Sequence, residues 1–340
     1  MFYLTIYFWL IQSVPVAKNI PVEGPNKLIW GIAKITQSPL DRRSPIGPDL
    51  NTQIPNEIPA TTRFSACKCP YKPEDIMNTA KDLTSTQPST ISVLKNLPYL
   101  IWLFTESNFP TFVIPNSAFG VLSALSGSFL TTKETPFSHV LLRLPLVVLF
   151  NWSNVYIFDL ANQRSPESVK EDIVNKPWRP LPTGKISPEQ TRRLMLISIP
   201  AVLALSYSFG VWQESALILI LTWLYNDLKG GDELIRDVII SIAFGIYNCA
   251  SLKIAIDDNN QITRQGYAWA ALISSVILTT MQVQDLKDQA GDRTRGRRTI
   301  PLVFGEEFSR WSIAVFIATF VTSDDRWAQK NLLRGDDVGY

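Results

Sequence analysis

The run "WAALISSVILTTMQV" at 269–283 carries no charge and leads straight into "QDLKDQAGDRTRGRRTIP" at 284–301. The first half is apolar enough for the interior of a bilayer. The second half sets Asp285, Asp288 and Asp292 ahead of Arg293, Arg295, Arg297 and Arg298. On a helix, the spacing i, i+3, i+7 stacks the three aspartates on one face. Three adjacent carboxylates repel one another unless a cation neutralises them. Oxygen-only donors suit Mg²⁺, which keeps waters and is commonly shared with substrate phosphates. Guanidinium forks match phosphate oxygens, so Arg293, Arg297 and Arg298 are candidates to hold such a group. Pairwise salt bridges at the end of a membrane span are the alternative reading of the same residues.

Working outward, the same apolar character recurs along the chain. Spans need roughly 20 apolar residues with few charges. Candidates lie at 111–130, 140–158, 194–212, 215–225, 238–252 and 267–283, with a seventh, shorter run at 311–321. Gly120, Ser123, Ala124 and Gly127 in the first run suit close helix packing in lipid. The fold expected is all-α, a multi-span transmembrane bundle. Hydrophobic residues make up 46% of the 340 residues and charged ones only 18%, below the usual quarter. A net charge of +2 gives no footprint for nucleic acid.

Residues 1–96 read differently, as a polar, proline-rich region that is poorly ordered or mispredicted. Its first residues are apolar but too few for a span, and they lack the basic start of a signal peptide. Residues 322–340 read as a polar tail. Cys67, Cys69 and Cys249 supply neither a zinc framework nor a disulfide one.

If the six spans alternate, the loops after the second, fourth and sixth share one membrane face. The first and last of them are rich in Lys and Arg, and the opposite face is poor in them, so the charged loops face the cytosol. The loop after the second span, "NVYIFDLANQRSPESVKEDIVNKPWRPLPTGK" at 154–185, places Asp159, Asn162 and Gln163 on one helical face. Lys176, Arg179 and Lys185 follow among stiffening prolines. A helix end followed by a polar loop is the plain alternative here. The loop after the fourth span, "YNDLKGGDELIRD" at 225–237, brings Lys229 and Arg236 to the same face. Two charged faces at the mouth of an apolar bundle fit a ligand with a diphosphate head and a hydrocarbon tail. Loss of diphosphate leaves an allylic cation, for which Tyr156 and Tyr225 are candidate lining rings.

"QDLKDQAGDRTRGRRTIPLVFG" resembles the second aspartate-rich motif of the UbiA superfamily of intramembrane prenyltransferases, and "NKPWRPLPTG" resembles the loop after that family's first motif. The resemblance covers about residues 97–321. It implies a helical catalytic domain, a lipid bilayer around it, Mg²⁺, a prenyl diphosphate substrate, and Asp285, Asp288 and Asp292 as Mg²⁺–diphosphate ligands. Asp159, Asn162 and Gln163 would make the opposing metal face. The family's first motif reads Asn-Asp-x-x-Asp-x-x-x-Asp; here Asn154 is one place out of register with Asp159, and Gln163 stands for the last aspartate. The variant is similar to a fungal branch that includes membrane-bound terpene cyclases. That branch implies cyclisation of a C15 or C20 prenyl diphosphate for terpenoid secondary metabolism, in the endoplasmic reticulum. Prenyl transfer to an aromatic or other small acceptor is the second expectation, and an inactive protein that keeps the fold is the third. The family's bundle has further spans, so this chain reads as truncated at its C-terminus.

Overall fold

The structure, a computed structural model, describes residues 88–335 except Asp257, with side chains as far as Phe320. The expected N-terminal region therefore lies almost wholly outside the described residues, as do Cys67 and Cys69. Among the described residues, regular structure is helical apart from one isolated antiparallel bridge between Thr131 and Ile262. The helices are α1 (Thr90–Lys95), α2 (Leu97–Thr105), α3 (Ile114–Ala124), α4 (Phe137–Gln163), α5 (Pro166–Asn175), α6 (Pro188–Ser208), α7 (Trp212–Asn226), α8 (Arg236–Ala255), α9 (Arg264–Thr280), α10 (Gln282–Arg295), α11 (Ile300–Phe304) and α12 (Glu306–Gly335). A wide π turn, Phe109–Val113, leads into α3.

Local chemistry sets several of these boundaries. Ser187 accepts from the Gln190 backbone N–H while Gln190 accepts from the Ser187 N–H, a full capping box with Pro188 next. Ser165 and Thr263 cap α5 and α9 in the simpler way. Gly210, at φ +74°, turns the chain between α6 and α7.

The expected spans are all helical, but fewer are long enough to cross a membrane. Among the described residues α4 and α8 meet both length and hydropathy; α9 and α10, bent by 40° at Met281, make a third if counted as one span. The expected fourth span is a helix of 15 residues, about 22 Å long against a hydrocarbon core of about 30 Å. The expected first span forms only the 16 residues of Phe109–Ala124 before the chain turns at Gly127. The third lies in α6, which opens with Glu189, Gln190, Arg192 and Arg193 ahead of the apolar run and ends at Ser208. The seventh run lies within α12, whose helical backbone continues to Gly335.

Helix α8 is the axis of the bundle, packed against α3, α4, α7 and α9. The close approach of α3 depends on Gly120, where a Cβ would sit 2.6 Å from Ser251. One turn away, Asn151 of α4 donates to Ser117 Oγ of α3 at 3.0 Å and to Ser251 Oγ of α8 at 2.8 Å. All three are buried, and the bonds join three helices in an apolar setting. Asn151→Ala is expected to cost about 1 kcal/mol of bundle stability, read as a lowered melting temperature in detergent.

The three charged loops meet at one end of this bundle, as alternation of the spans requires. Helix α5, from the first loop, packs along α10, from the last. Asp232, from the loop between α7 and α8, joins them through Arg295 and Arg297.

Candidate functional site

Helix α10 carries the aspartates on one face, but their neighbours differ. Asp285 is buried and ion-paired to Arg236 at the start of α8. Arg236 donates in turn to the Tyr225 hydroxyl at 3.1 Å and lies 3.4 Å from Asp237. Asp292 is buried against Arg297 at 3.3 Å. Among the described residues, the half-buried Asp288 carboxylate makes no hydrogen bond or ion pair. The three aspartates therefore do not form a closed cage. Among the described residues no group of three or more His, Cys, Asp or Glu side chains is placed to hold a metal by itself.

The opposite wall comes from α4. Asp159 is fully buried and accepts from Asn108 Nδ2 at 2.5 Å. Asn108 is aimed there by the π turn, an irregularity that often marks functional segments. Gln163, also fully buried, donates to the Phe104 carbonyl at 2.8 Å. Between the two acidic walls stand Lys176 and Arg179. The buried Arg179 grips both oxygens of Asp172, at 2.8 and 3.0 Å, and its charge also acts on Asp159. Among the described residues Lys176 makes no ion pair, and its charge interacts with those of Asp288 and Asp172. The Arg179 guanidinium, and then burial, hold the Lys176 ammonium below the usual lysine pKa. A cation pair held together at a cost in mutual repulsion is primed for an anion.

The other expected phosphate ligands are placed less centrally. Arg297 is spent on carboxylates: Glu171 at 3.1 Å, Asp232 at 3.4 Å and Asp292. Gly296, at φ +81°, ends α10 and folds Arg297 back onto Asp292. Arg293 is exposed and bonds Gln289, and Arg298 is exposed and pairs with Glu233. Lys185 and Lys229 are exposed at the rim. Arg295, given no role by sequence reasoning, ties Asp232, Glu171 and Ser168 together at 2.7, 3.1 and 2.6 Å. Burial alone would raise the Glu171 carboxyl, but Arg297, Arg295 and Lys176 bring it below its ordinary pKa. Asn108, Glu171, Asp172 and Asp232 were also missed, because their partners lie far away in sequence.

One missed residue explains a motif position. Asn175, the last residue of α5, accepts from the Gly291 N–H at 3.2 Å and donates to the Asp288 carbonyl at 3.2 Å. A Cβ on Gly291 would lie 2.2 Å from the Asn175 amide nitrogen. The glycine between Asp288 and Asp292 is thus the socket that docks α5 onto α10.

Below the charged end lies an apolar cavity. Phe112, Phe158, Tyr225 and Tyr247 line it with aliphatic residues of α4, α7 and α8. The Tyr225 ring lies 5.2 Å from Phe158, and its hydroxyl accepts from Arg236. Tyr156 does not line this cavity. Its ring packs edge-on against Phe104 at 6.5 Å in a separate cluster with Leu160 and Leu181. Tyr247 and Phe112 are the lining rings instead.

The donor set suits a hard cation that shares its shell with a ligand. Among the described residues Asp159 Oδ2, Asp285 Oδ2 and Asp292 Oδ2 are buried without a hydrogen-bond partner, as are the side-chain oxygens of Asn162 and Gln163. Every one is an oxygen acceptor, and buried acceptors are rarely left unpaired.

The chain is 28% identical over 238 residues to fumagillin beta-trans-bergamotene synthase af520 of Aspergillus fumigatus, covering 68% of this chain and 73% of that protein. It is 33% identical to somaliensene A/B synthase of Streptomyces somaliensis, covering 62% and 67%. It is 30% identical to polyprenyl transferase eriF of Hericium erinaceus, covering 65% and 72%. The model of the UbiA prenyltransferase family matches residues 117–327. Helical spans, paired polar walls above an apolar cavity, and this match together make the chain a member of the UbiA prenyltransferase family.

Proposed function

We propose that the chain is a membrane-bound terpene cyclase: a C15 or C20 prenyl diphosphate ionises, the allylic cation closes on the chain's own double bonds, and a proton lost to the released diphosphate leaves a neutral cyclic hydrocarbon. The observation that carries this reading is the character of the cavity. Apart from Thr222 its lining is aliphatic and aromatic, and the hydroxyl of Tyr225 is already engaged by Arg236. A transferase must also seat a polar acceptor beside the prenyl carbon, and these walls offer little to orient one. The synthase names of the Aspergillus and Streptomyces relatives support the same choice.

In this reading Lys176 and Arg179 hold the diphosphate between the two acidic walls. Asp285, Asp288 and Asp292 on one wall, and Asp159, Asn162 and Gln163 on the other, are the oxygens that would hold Mg²⁺. Bound there, Mg²⁺ would offset the negative charge that grows on the leaving diphosphate. Asp285 is held in place by Arg236, and Asp292 by Arg297. The cavity keeps water from the allylic cation, and the faces of Phe112, Phe158, Tyr225 and Tyr247 stabilise it. Arg293, Arg298, Lys185 and Lys229 at the rim draw the charged head in. The excess of Lys and Arg in these loops favours a cytosolic site, and the endoplasmic reticulum is the membrane proposed.

The test is incubation of membranes containing the chain with farnesyl or geranylgeranyl diphosphate and Mg²⁺, without an acceptor. A cyclic hydrocarbon is the expected product. Product that forms only with an added aromatic acceptor would establish prenyl transfer instead, the activity named for the Hericium relative. No diphosphate release in any mixture would leave an inactive protein that keeps the fold.

A further inference from the structure

Helix α4 brings one carboxylate, Asp159, to the charged end, where α10 brings three. No second acid on α4 shares the work of holding a cation, so the orientation of this one counts for more. Three side chains on one face of α4, Trp152, Asp159 and Gln163 at i, i+7 and i+11, bond to the end of α2 and the turn after it. The Trp152 indole donates to Thr105 Oγ1 at 2.9 Å, and Gln163 donates to the Phe104 carbonyl at 2.8 Å. These two bonds strap the segment onto α4. The middle bond acts on the acid itself. Asn108 donates to Asp159 Oδ1 at 2.5 Å, and the buried Oδ2 is left without a hydrogen-bond partner among the described residues. Asn108 is itself held firmly. Its N–H donates to the Thr105 carbonyl at 2.9 Å, and its carbonyl accepts from the Phe112 N–H at 2.8 Å. Next to it, the Phe109 ring lies between Trp102, at 5.6 Å, and Trp152, at 5.5 Å.

We infer that Asn108 is a positioning residue for the α4 wall: its amide takes one oxygen of Asp159 and reserves the other for a divalent cation. This rests on the Mg²⁺–diphosphate site proposed above. A partner behind a metal ligand fixes the ligand's orientation, and its loss costs about 10–100-fold in metal affinity or activity. A neutral amide suits the task. It orients the carboxylate by a single N–H and leaves the negative charge for the metal, where a guanidinium or ammonium would neutralise it. The charges of Arg179 and Lys176 and the Gln163 amide also act on Asp159, but Asn108 makes the short bond. The irregular turn after α2 thus has a use in the site: it carries the residue that sets the α4 carboxylate.

The experiment uses the full chain in lipid nanodiscs. Mn²⁺ replaces Mg²⁺, methylenediphosphonate stands in for the diphosphate, and bound Mn²⁺ is read by electron paramagnetic resonance. Diphosphate release from farnesyl and geranylgeranyl diphosphate is followed in parallel as Mg²⁺ is varied. Asn108→Leu keeps the bulk of the side chain and removes its donor. It is expected to weaken Mn²⁺ binding by about tenfold or more, and to raise the Mg²⁺ needed for half-maximal rate by a similar factor. Trp152→Phe breaks a strap bond that does not reach Asp159. It is expected to lower the melting temperature and leave Mn²⁺ affinity unchanged. Should Asn108→Leu fail to fold, Asn108→Ala carries the same expectation. Unchanged Mn²⁺ affinity in a folded Asn108 variant would overturn the inference. An equal loss in Trp152→Phe would do so too, by making Asn108 one more strap, as would a wild type that binds no Mn²⁺. The expected loss in Asn108→Leu, together with a wild type that releases no diphosphate from either substrate, would reject the cyclase reading and support the positioning role.

Discussion

Asp288→Asn lowers diphosphate release by about 100-fold or more while leaving the fold as stable as before; Asp285→Asn loses activity and stability together. The difference follows from what each carboxylate touches. Asp288 is half-buried and has no side-chain partner among the described residues, so neutralising it removes no bond the described fold relies on. A change of that kind costs within about 0.5 kcal/mol. Its carboxylate interacts with the charge of Lys176, one of the cations assigned to the diphosphate. Asp285 instead pairs with the buried Arg236. Neutralising Asp285 leaves a guanidinium short of its counter-charge, a cost of up to about 3–5 kcal/mol. The lower end applies, because Asp237 and the Tyr225 hydroxyl still share Arg236. Melting curves and diphosphate release on the same two preparations check the contrast. Full activity in Asp288→Asn would remove the α10 face from the proposed site.

That contrast shows where sequence reading stops. The helical face of Asp285, Asp288 and Asp292 was legible because i, i+3, i+7 is a local property of one helix. The partner of Asp285 was not, since Arg236 lies 49 positions away and the pair forms only when α8 and α10 pack. The helices themselves were legible from their apolar runs, but the number able to span was overstated. Hydropathy marks apolar runs but not the length of the helix each will form: the break at Gln213 and Glu214 separates 194–212 from 215–225, yet the second run folds into a helix of only 15 residues. Tyr156 was misplaced for a further reason. Asn154, Val155, Tyr156, Ile157, Asp159, Leu160 and Ala161 are all buried, so this part of α4 is covered on every side. A helix buried all round has no apolar stripe to tell which residues face a cavity and which face a neighbouring helix. Only packing distinguishes Tyr156, set against Phe104, from Val155 and Phe158 at the cavity.

Gly291→Ala is expected to be the second severe substitution, although alanine is the better helix former by about 1 kcal/mol. The opposing effect is larger. A methyl at 291 falls 2.2 to 2.7 Å from three atoms of the Asn175 amide. Asn175 escapes only by giving up its bonds to the Gly291 N–H and the Asp288 carbonyl, about 1 kcal/mol each. If it stays, the overpacking costs about 1–3 kcal/mol. Either way the end of α5 moves, and Lys176 is the very next residue. A displacement of about 1 Å in a positioning element is enough for a loss of about 100-fold in rate. The double variant Gly291→Ala with Asn175→Ala separates this mechanism from a general intolerance at 291. Without the amide the methyl has room, so the second substitution is expected to add little to the first in melting temperature. The shortfall from additivity is the signature of direct contact. Strict additivity, or full activity in Gly291→Ala alone, would show that α5 does not seat its cations through this glycine.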